Sequence, residues 1–152
     1  MTELRDSSVM LQLAYQAMLN MDIDVNKVLS QIGATPELLE DRNARTPHEA
    51  QLLFWRVMEE VSEDPDIGLH LGEHMPVYKG QVLKYLFLSS PTFGEGLNRA
   101  LNYQRLLSDA SVASLDQSDD QAYIVVDTSS KRVISLRHLN ESLCLGMIRF
   151  FN

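Results

Sequence analysis

Cysteine is almost absent from the sequence: Cys144 stands alone, so the chain has no second thiol for an internal disulfide. A single free cysteine is typical of a reducing compartment, and we expect the protein to be cytoplasmic. No apolar run approaches the ~20 residues that a helix needs to span a membrane. The first residues also lack the basic, apolar and cleavage regions of a signal peptide. We therefore expect no membrane partner.

Positive charge is scarce as well. The chain has 13 Lys and Arg residues against 21 Asp and Glu residues, which gives a net charge of −8. Surfaces that bind nucleic acid are normally basic, because Lys and Arg neutralise the phosphates. The composition therefore argues against direct, non-specific binding to DNA, and another segment would have to make that contact. The simplest interpretation of the excess of acidic residues is a solvated acidic surface that keeps the domain soluble.

Most catalytic signatures are missing too. The sequence has no Gly-x-Ser-x-Gly nucleophile elbow and no glycine-rich loop of the kind that binds phosphates. Cys144 falls on the apolar face of a predicted helix, which indicates a small buried side chain rather than a nucleophile. We accordingly predict that the chain is not an enzyme and has no catalytic residue, metal or cofactor.

One motif favours a different interpretation. His70-x-x-Glu73-His74 has the spacing of the inverted zinc-peptidase signature, in which both imidazoles lie on one helix face and the glutamate is the base. A zinc ion would need a third protein ligand, for which Glu95 and Glu141 are available. The simpler interpretation is that the histidines form the polar face of a short helix. We prefer it, and a zinc hydrolase stays as an alternative.

Helix-capping residues and helix-starting prolines divide most of the chain into short helices. Thr46 and Glu49 form a capping box at the start of the fourth helix, and Thr92 and Glu95 form one at the start of the seventh. Helices are predicted, after a disordered lead over 1–6, at 8–20, 25–32, 36–40, 46–62, 64–74, 81–89 and 92–107. Strands are predicted at 111–115, 121–127 and 133–137, and a last helix at 139–152. The fold class is therefore α+β, with several short N-terminal helices packed on a small antiparallel β-sheet and a helix at the end.

The pattern of apolar residues predicts what the helices bury. The helix over 81–89 is apolar on nearly every side, so we expect it to be buried on most sides. Gly94 and Gly96 then allow another backbone to come close to the next helix. The predicted core is led by Phe54, Val57, Leu69, Leu83, Leu86, Leu97, Leu101 and Val125.

Three short motifs follow one another in a characteristic order. They are the run 68–72 (GLHLG), the run 88–97 (LSSPTFGEGL), and Tyr103 followed by the run 105–109 (RLLSD). Their order and spacing resemble the amino-terminal effector domain of bacterial AraC/XylS-class transcription regulators, and are most similar to the subgroup named for arabinose binding. The resemblance extends from about Ser8 to the end of the chain.

The resemblance implies a function and partners. The chain would be a single regulatory domain over 1–152 that binds a small-molecule effector, forms a homodimer, or both. It would touch DNA only through a C-terminal helix-turn-helix domain. Since the last helix shows no stop signal, we expect 1–152 to be a truncated regulator that lacks this domain. A pure interaction module without a small-molecule ligand is the alternative.

The effector site is expected to be mostly apolar with a few polar groups that fix orientation. Trp55, Tyr78, Tyr85 and Tyr103 offer both kinds of surface, and Arg105 could pair with a carboxylate. Ordinary core packing is the competing interpretation for the tryptophan and for two of the tyrosines, Tyr85 and Tyr103. For Arg105 the competing interpretation is a surface salt bridge.

Overall fold

Eight α-helices, two pairs of antiparallel strands and one 3₁₀ turn form the part of the chain that the computed structural model describes, residues 2–76 and 81–152. This confirms the predicted α+β class with a helix at the end. None of the helices in these two ranges is long and apolar enough to cross a membrane. The order along the chain is β1 (Arg5–Ser7), α1 (Ser8–Asn20), α2 (Val25–Ile32), α3 (Pro36–Glu40), β2 (Arg45–Pro47), α4 (Ala50–Ser62), α5 (Ile67–His74), α6 (Val82–Leu88), α7 (Phe93–Asn102), the 3₁₀ turn (Gln104–Leu106), β3 (Ala113–Ser118), β4 (Gln121–Val126) and α8 (Arg137–Phe151).

Side-chain caps begin four of the helices where the sequence predicted them. The side-chain oxygens of Ser7, Asp24, Thr35 and Thr92 each accept a main-chain N–H from the first turn of the helix that follows. Gly33 ends α2 at φ 69°, a left-handed conformation that costs glycine little. Each of these helix boundaries depends on residues within one helical turn, so the local sequence pattern was sufficient to predict it.

The N-terminal residues do not form the predicted disordered lead. β1 pairs with β2 in an antiparallel register that sets Asp6 opposite Thr46. The capping box predicted at Thr46 is also wrong, because α4 begins at Ala50 without a side-chain cap. Pairing between distant segments overrides the local signal here, since the strand bonds hold Thr46 in an extended conformation.

The predicted hairpin is confirmed in β3 and β4. Asp116 lies opposite Tyr123, and Ser118 lies opposite Gln121. The turn is shorter than predicted, and Asp119 adopts φ 49° within it. A positive φ of this kind is tolerated by aspartate better than by most residues.

The third predicted strand, over 133–137, is wrong. Residues 131–133 form a turn and a bend, and α8 begins at Arg137. The main-chain N–H of Ile134 donates to the side chain of His48 at 2.9 Å, rather than to a neighbouring strand. The sheet around the hairpin therefore has two strands in the described part of the chain.

The main core lies among α1, α2, α4 and α5, and its fully buried members include Met18, Met58 and Ile67. Two of the predicted core residues, Val57 and Leu97, are buried. Phe54, Leu83, Leu86 and Leu101 are half-buried. Leu69 and Val125 are exposed, so their assignment to the core was wrong.

Two other burial predictions are also wrong. α6 is not buried on most sides, because its residues Val82, Tyr85 and Leu88 are exposed. Cys144 is exposed on α8 rather than buried as a small hydrophobic side chain. The close approach expected at Gly96 is confirmed, since a Cβ there would lie 2.7 Å from the main-chain oxygen of Phe87, whereas Gly94 faces open space.

α5 and α8 pack directly against each other through two glycines. A Cβ at Gly68 would lie 2.5 Å from the Cα of His138, and one at Gly72 would lie 3.0 Å from the Cα of Ser142. Nη1 of Arg149 also donates to the main-chain oxygens of Gly72 and Met75, at 3.1 and 2.9 Å. This contact places α8 directly against α5, and α8 in turn forms a wall of the site described next.

Candidate functional site

A buried carboxylate lies at the centre of a polar network between β1 and α4. Asp6 is only 4 % exposed. Its Oδ1 accepts a hydrogen bond from Ser108 Oγ at 2.5 Å, and its Oδ2 accepts one from Gln51 Nε2 at 3.0 Å. His48 Nδ1 lies 2.9 Å from the same Oδ2. Three donors therefore compensate for the removal of this carboxylate from water.

The hydrogen bonds of His48 assign its protonation. Its Nε2 accepts the main-chain N–H of Ile134 at 2.9 Å, so this nitrogen carries no proton. The single proton of a neutral imidazole is then on Nδ1, which donates it to Asp6. The ring orients the carboxylate without cancelling its negative charge.

Gln51 extends the network into the aromatic core. Its Oε1 accepts the indole N–H of Trp55 at 3.1 Å, while its Nε2 donates to Asp6. Trp55 is 5 % exposed, and its ring centroid lies 5.0 Å from that of Phe54 in an edge-to-face arrangement. The network thus joins β1, the first two turns of α4 and the segment that follows the 3₁₀ turn.

Two cavities adjoin this network. The inner cavity, of about 280 Å³, lies among α1, α4, α5 and α8 and includes Trp55, Leu71 and Ser142 in its wall. The hairpin cavity, of about 220 Å³, lies among α6, α7, α8 and the hairpin, and Phe87 is in its wall. Both are walled chiefly by apolar side chains. Five residues line both cavities: Asp6, Met10, Gln51, Leu139 and Leu143.

The site contains serine, histidine and aspartate, but their order differs from that of a nucleophilic triad. Such a triad places histidine between the other two, so that its imidazole takes the proton of the serine. Here Asp6 lies between Ser108 and His48, and the serine donates to the carboxylate. The second imidazole nitrogen is occupied by the N–H of Ile134. The geometry is that of a structural and binding network rather than of an activated nucleophile.

Four of the five residues proposed from the sequence lie in the described part of the chain, and these four do not line one cavity. Trp55 lies in the wall of the inner cavity. Tyr85 and Tyr103 are 63 % and 53 % exposed. Arg105 is also exposed, and its main-chain oxygen accepts a hydrogen bond from Arg45. Tyr78 lies outside the described residues.

Sequence reasoning missed the polar centre of the site. Asp6 lies in a short polar stretch that resembles a disordered lead, and His48 lies between Thr46 and Glu49, the two residues of the predicted capping box. Gln51 carries no signal in the sequence beyond its place one turn before Trp55, the spacing at which two helical side chains meet. Only the pairing of β1 with β2 brings Asp6 to the other two residues.

The two histidines of the His70-x-x-Glu73-His74 run make hydrogen bonds to different partners. His70 Nδ1 lies 2.5 Å from Asp64 Oδ2, and His74 Nδ1 lies 2.9 Å from the main-chain oxygen of His70. The hydrogen bond to Asp64, together with its negative charge, raises the pKa of His70 above 6.5. In the ranges 2–76 and 81–152 no group of three or more His, Cys, Asp and Glu residues is arranged to hold a metal.

Comparison with known proteins assigns the chain to a family. Residues 23–152 match the arabinose-binding domain of AraC transcription regulators, at the N-terminal end of those proteins. A search of curated proteins found no match. The matched range includes α2 to α8 and confirms the resemblance noted in the sequence, while Asp6 and α1 precede it.

Proposed function

The chain belongs to the family of N-terminal arabinose-binding domains of AraC transcription regulators, and on this premise we propose that it senses a small-molecule effector in the two adjoining cavities. The observation that carries the proposal is the combination of apolar walls with one buried polar centre, formed by Asp6, Gln51 and His48. Small-molecule sites typically have this composition, with few polar groups that fix the orientation of the ligand.

The interior geometry favours sensing over the alternative of a pure interaction module. A module of that kind would have an interior filled by its own side chains, whereas this domain has cavities of about 280 and 220 Å³. A regulator also needs an element whose position depends on the ligand. α8 is suited to that role because Leu139 and Leu143 line both cavities.

The proposed mechanism is a shift between two arrangements of α8. An effector can change the balance only if it binds one arrangement more tightly than the other. The shift of α8 would then control a helix-turn-helix DNA-binding domain of the same regulator, in the cytoplasm of a bacterium. The acidic chain itself would not contact DNA.

A pair of matched substitutions tests the site. Leu143→Phe enlarges a side chain in the wall shared by both cavities, and Leu19→Phe makes the same change at an exposed position of α1 that lines neither cavity. The thermal unfolding temperature of the wild type should rise with a subset of small apolar compounds, because a ligand that binds only the folded state stabilises it. The Phe variant at Leu143 should lose this rise, and the variant at Leu19 should retain it. Equal responses of the two variants would contradict the proposed site.

We also propose that the domain forms a homodimer through α6. Val82, Tyr85 and Leu88 expose apolar surface on this helix, and Phe93 extends it at the start of α7. Contiguous apolar surface of this kind is typical of protein interfaces. Sedimentation velocity should show a dimer that Tyr85→Glu converts to a monomer, whereas Gln16→Glu, on the exposed side of α1, should not. An unchanged sedimentation coefficient in both variants would argue against this surface.

A further inference from the structure

The wall of the inner cavity carries a negative charge with no positive charge beside it among the described residues. Asp6 is the one charged residue among the described residues that line it, and no Lys or Arg is among them. Building on the proposed effector site, we propose that the effector is an apolar, ring-sized molecule with a single ammonium group that pairs with Asp6, and not a free sugar.

The polar groups of the inner cavity are too few for a sugar. Five carboxyl, hydroxyl and amide side chains are among the described residues that line it, those of Asp6, Ser7, Thr46, Gln51 and Ser142. Ser142 Oγ already donates to the oxygen of Leu139, and Ser7 Oγ accepts the N–H of Val9. Gln51 is bonded at both ends of its amide. A free pentose presents a hydroxyl on nearly every carbon, and a buried hydroxyl without a partner is strongly disfavoured. The family is named for arabinose, but the side chains in this wall suit a ligand that is mostly apolar.

The charge of the site selects the polar group of the ligand. His48 is neutral in its observed hydrogen bonds, so it leaves the negative charge of Asp6 in place. A carboxylate has about four acceptor positions, and three donors occupy this one. An ammonium group can add a charge-assisted hydrogen bond there, whereas a carboxylate or phosphate group would be repelled.

The volume of the inner cavity suits a ring with a short substituent. An apolar cavity of about 150 Å³ holds benzene, and the inner cavity measures about 280 Å³. The rings of Phe54 and Trp55 are in its wall. Their faces favour a nearby cation as well as an apolar ring.

Four probes of known structure test the inference on the full chain. Cyclohexylmethylamine, cyclohexylmethanol and cyclohexanecarboxylate share one apolar body and differ in their polar group, and L-arabinose represents the sugar. Their dissociation constants are measured by isothermal titration calorimetry. We expect the amine to bind about tenfold more tightly than the alcohol, because both can donate a hydrogen bond to the carboxylate but only the ammonium group adds an opposite charge. The carboxylate and the sugar should bind more weakly than the alcohol.

The outcomes separate this inference from the proposed function. Tightest binding by the alcohol, the carboxylate or L-arabinose would overturn the ammonium assignment and leave a sensing cavity in place. Absence of binding by all four probes at millimolar concentration would overturn both. Asp6→Asn should abolish the preference for the amine over the alcohol, while Asp116→Asn, on exposed β3, should not. If the Asn variant at Asp6 does not fold, the ranking of the probes on the wild type decides alone.

Discussion

Ser108 and Asp6 are 102 residues apart in the sequence, and a hydrogen bond of 2.5 Å joins their side chains. A strand-like contact between the main chains of the same two residues accompanies it. The carboxylate that receives this bond also receives those of His48 and Gln51. One short N-terminal strand is therefore held by residues from two distant parts of the chain, at the point where the two cavities meet.

Removal of this carboxylate should destabilise the domain strongly. Asp6→Ala leaves three donors without their acceptor in a buried site, and each such loss typically costs 1–3 kcal/mol. We expect the free energy of unfolding to fall by about 3 kcal/mol in urea titrations. The same change at exposed Asp116 should alter it by less than ~0.5 kcal/mol. Similar losses in the two variants would contradict a special role for the network.

The contact between α5 and α8 predicts opposite effects at two glycines. Gly68→Ala sets a Cβ 2.5 Å from the backbone of His138, which cannot move aside as a side chain could. Overpacking of this kind costs about 1–3 kcal/mol. Gly94→Ala meets nothing within 4 Å and should be neutral or stabilising by up to ~1 kcal/mol, because alanine favours the helix. Chemical denaturation of both variants measures the difference, and an Ala variant at Gly68 that is as stable as the wild type would contradict the close contact between α5 and α8.

The cap of α7 offers a prediction that isolates a single hydrogen bond. Thr92 Oγ1 accepts the N–H of Glu95 at 3.2 Å. Thr92→Ala should lower the free energy of unfolding by about 1 kcal/mol, whereas Thr92→Ser, which retains the hydroxyl, should leave it nearly unchanged. Equal destabilisation by serine and alanine would show that the methyl group, and not the cap, is responsible.

The ion pair on α5 predicts a dependence of stability on pH. Partial burial of Asp64 disfavours its charge, but hydrogen bonds from His70 and from the Asp66 N–H outweigh this, and the pKa of Asp64 lies below 3.8. The pKa of His70 is raised above 6.5 by the same pair. The stabilisation that results from the raised pKa of His70 is fully present below pH 6.5 and is lost as the pH rises through the raised value. The stabilisation that results from the lowered pKa of Asp64 is present above pH 3.8 and is lost as the pH falls through the lowered value.

The pair should therefore contribute most between pH 3.8 and 6.5. Its contribution should stay below ~1 kcal/mol, because His70 is half exposed and water screens the charges. His70→Asn should be less stable than the wild type at about pH 5 and equal to it well above the raised pKa. A difference that grows as the pH rises would contradict this assignment.

The sequence predicted the elements that short-range chemistry determines. The caps at Asp24 and Thr92 and the β3–β4 hairpin depend on neighbours within a few residues. The errors occur where distant segments meet. Thr46 has the local features of a helix start and pairs with Asp6 as a strand, and the predicted third strand donates instead to His48.

The site could be predicted only in outline for the same reason. An apolar pocket containing Trp55 was expected, and Trp55 does lie in the wall of the inner cavity. Its polar centre depends on a contact between Asp6 and residues as far away as Ser108. No periodicity or motif encodes such a contact. The exposed positions of Tyr85 and Tyr103 likewise depend on which helices cover α6 and α7.

Methionine methyl groups provide the most direct measurement of the central claim, that small molecules bind where the cavities meet. Met10 lines both cavities and Met75 lines the inner one, whereas Met18 and Met58 are buried in the core and line neither cavity. In the methyl NMR spectrum of the chain labelled with ¹³C-methyl methionine, cyclohexylmethylamine should shift the signals of Met10 and Met75 most and leave those of Met18 and Met58 nearly unchanged. Signals of Met10 and Met75 that stay in place at saturating probe would contradict the account.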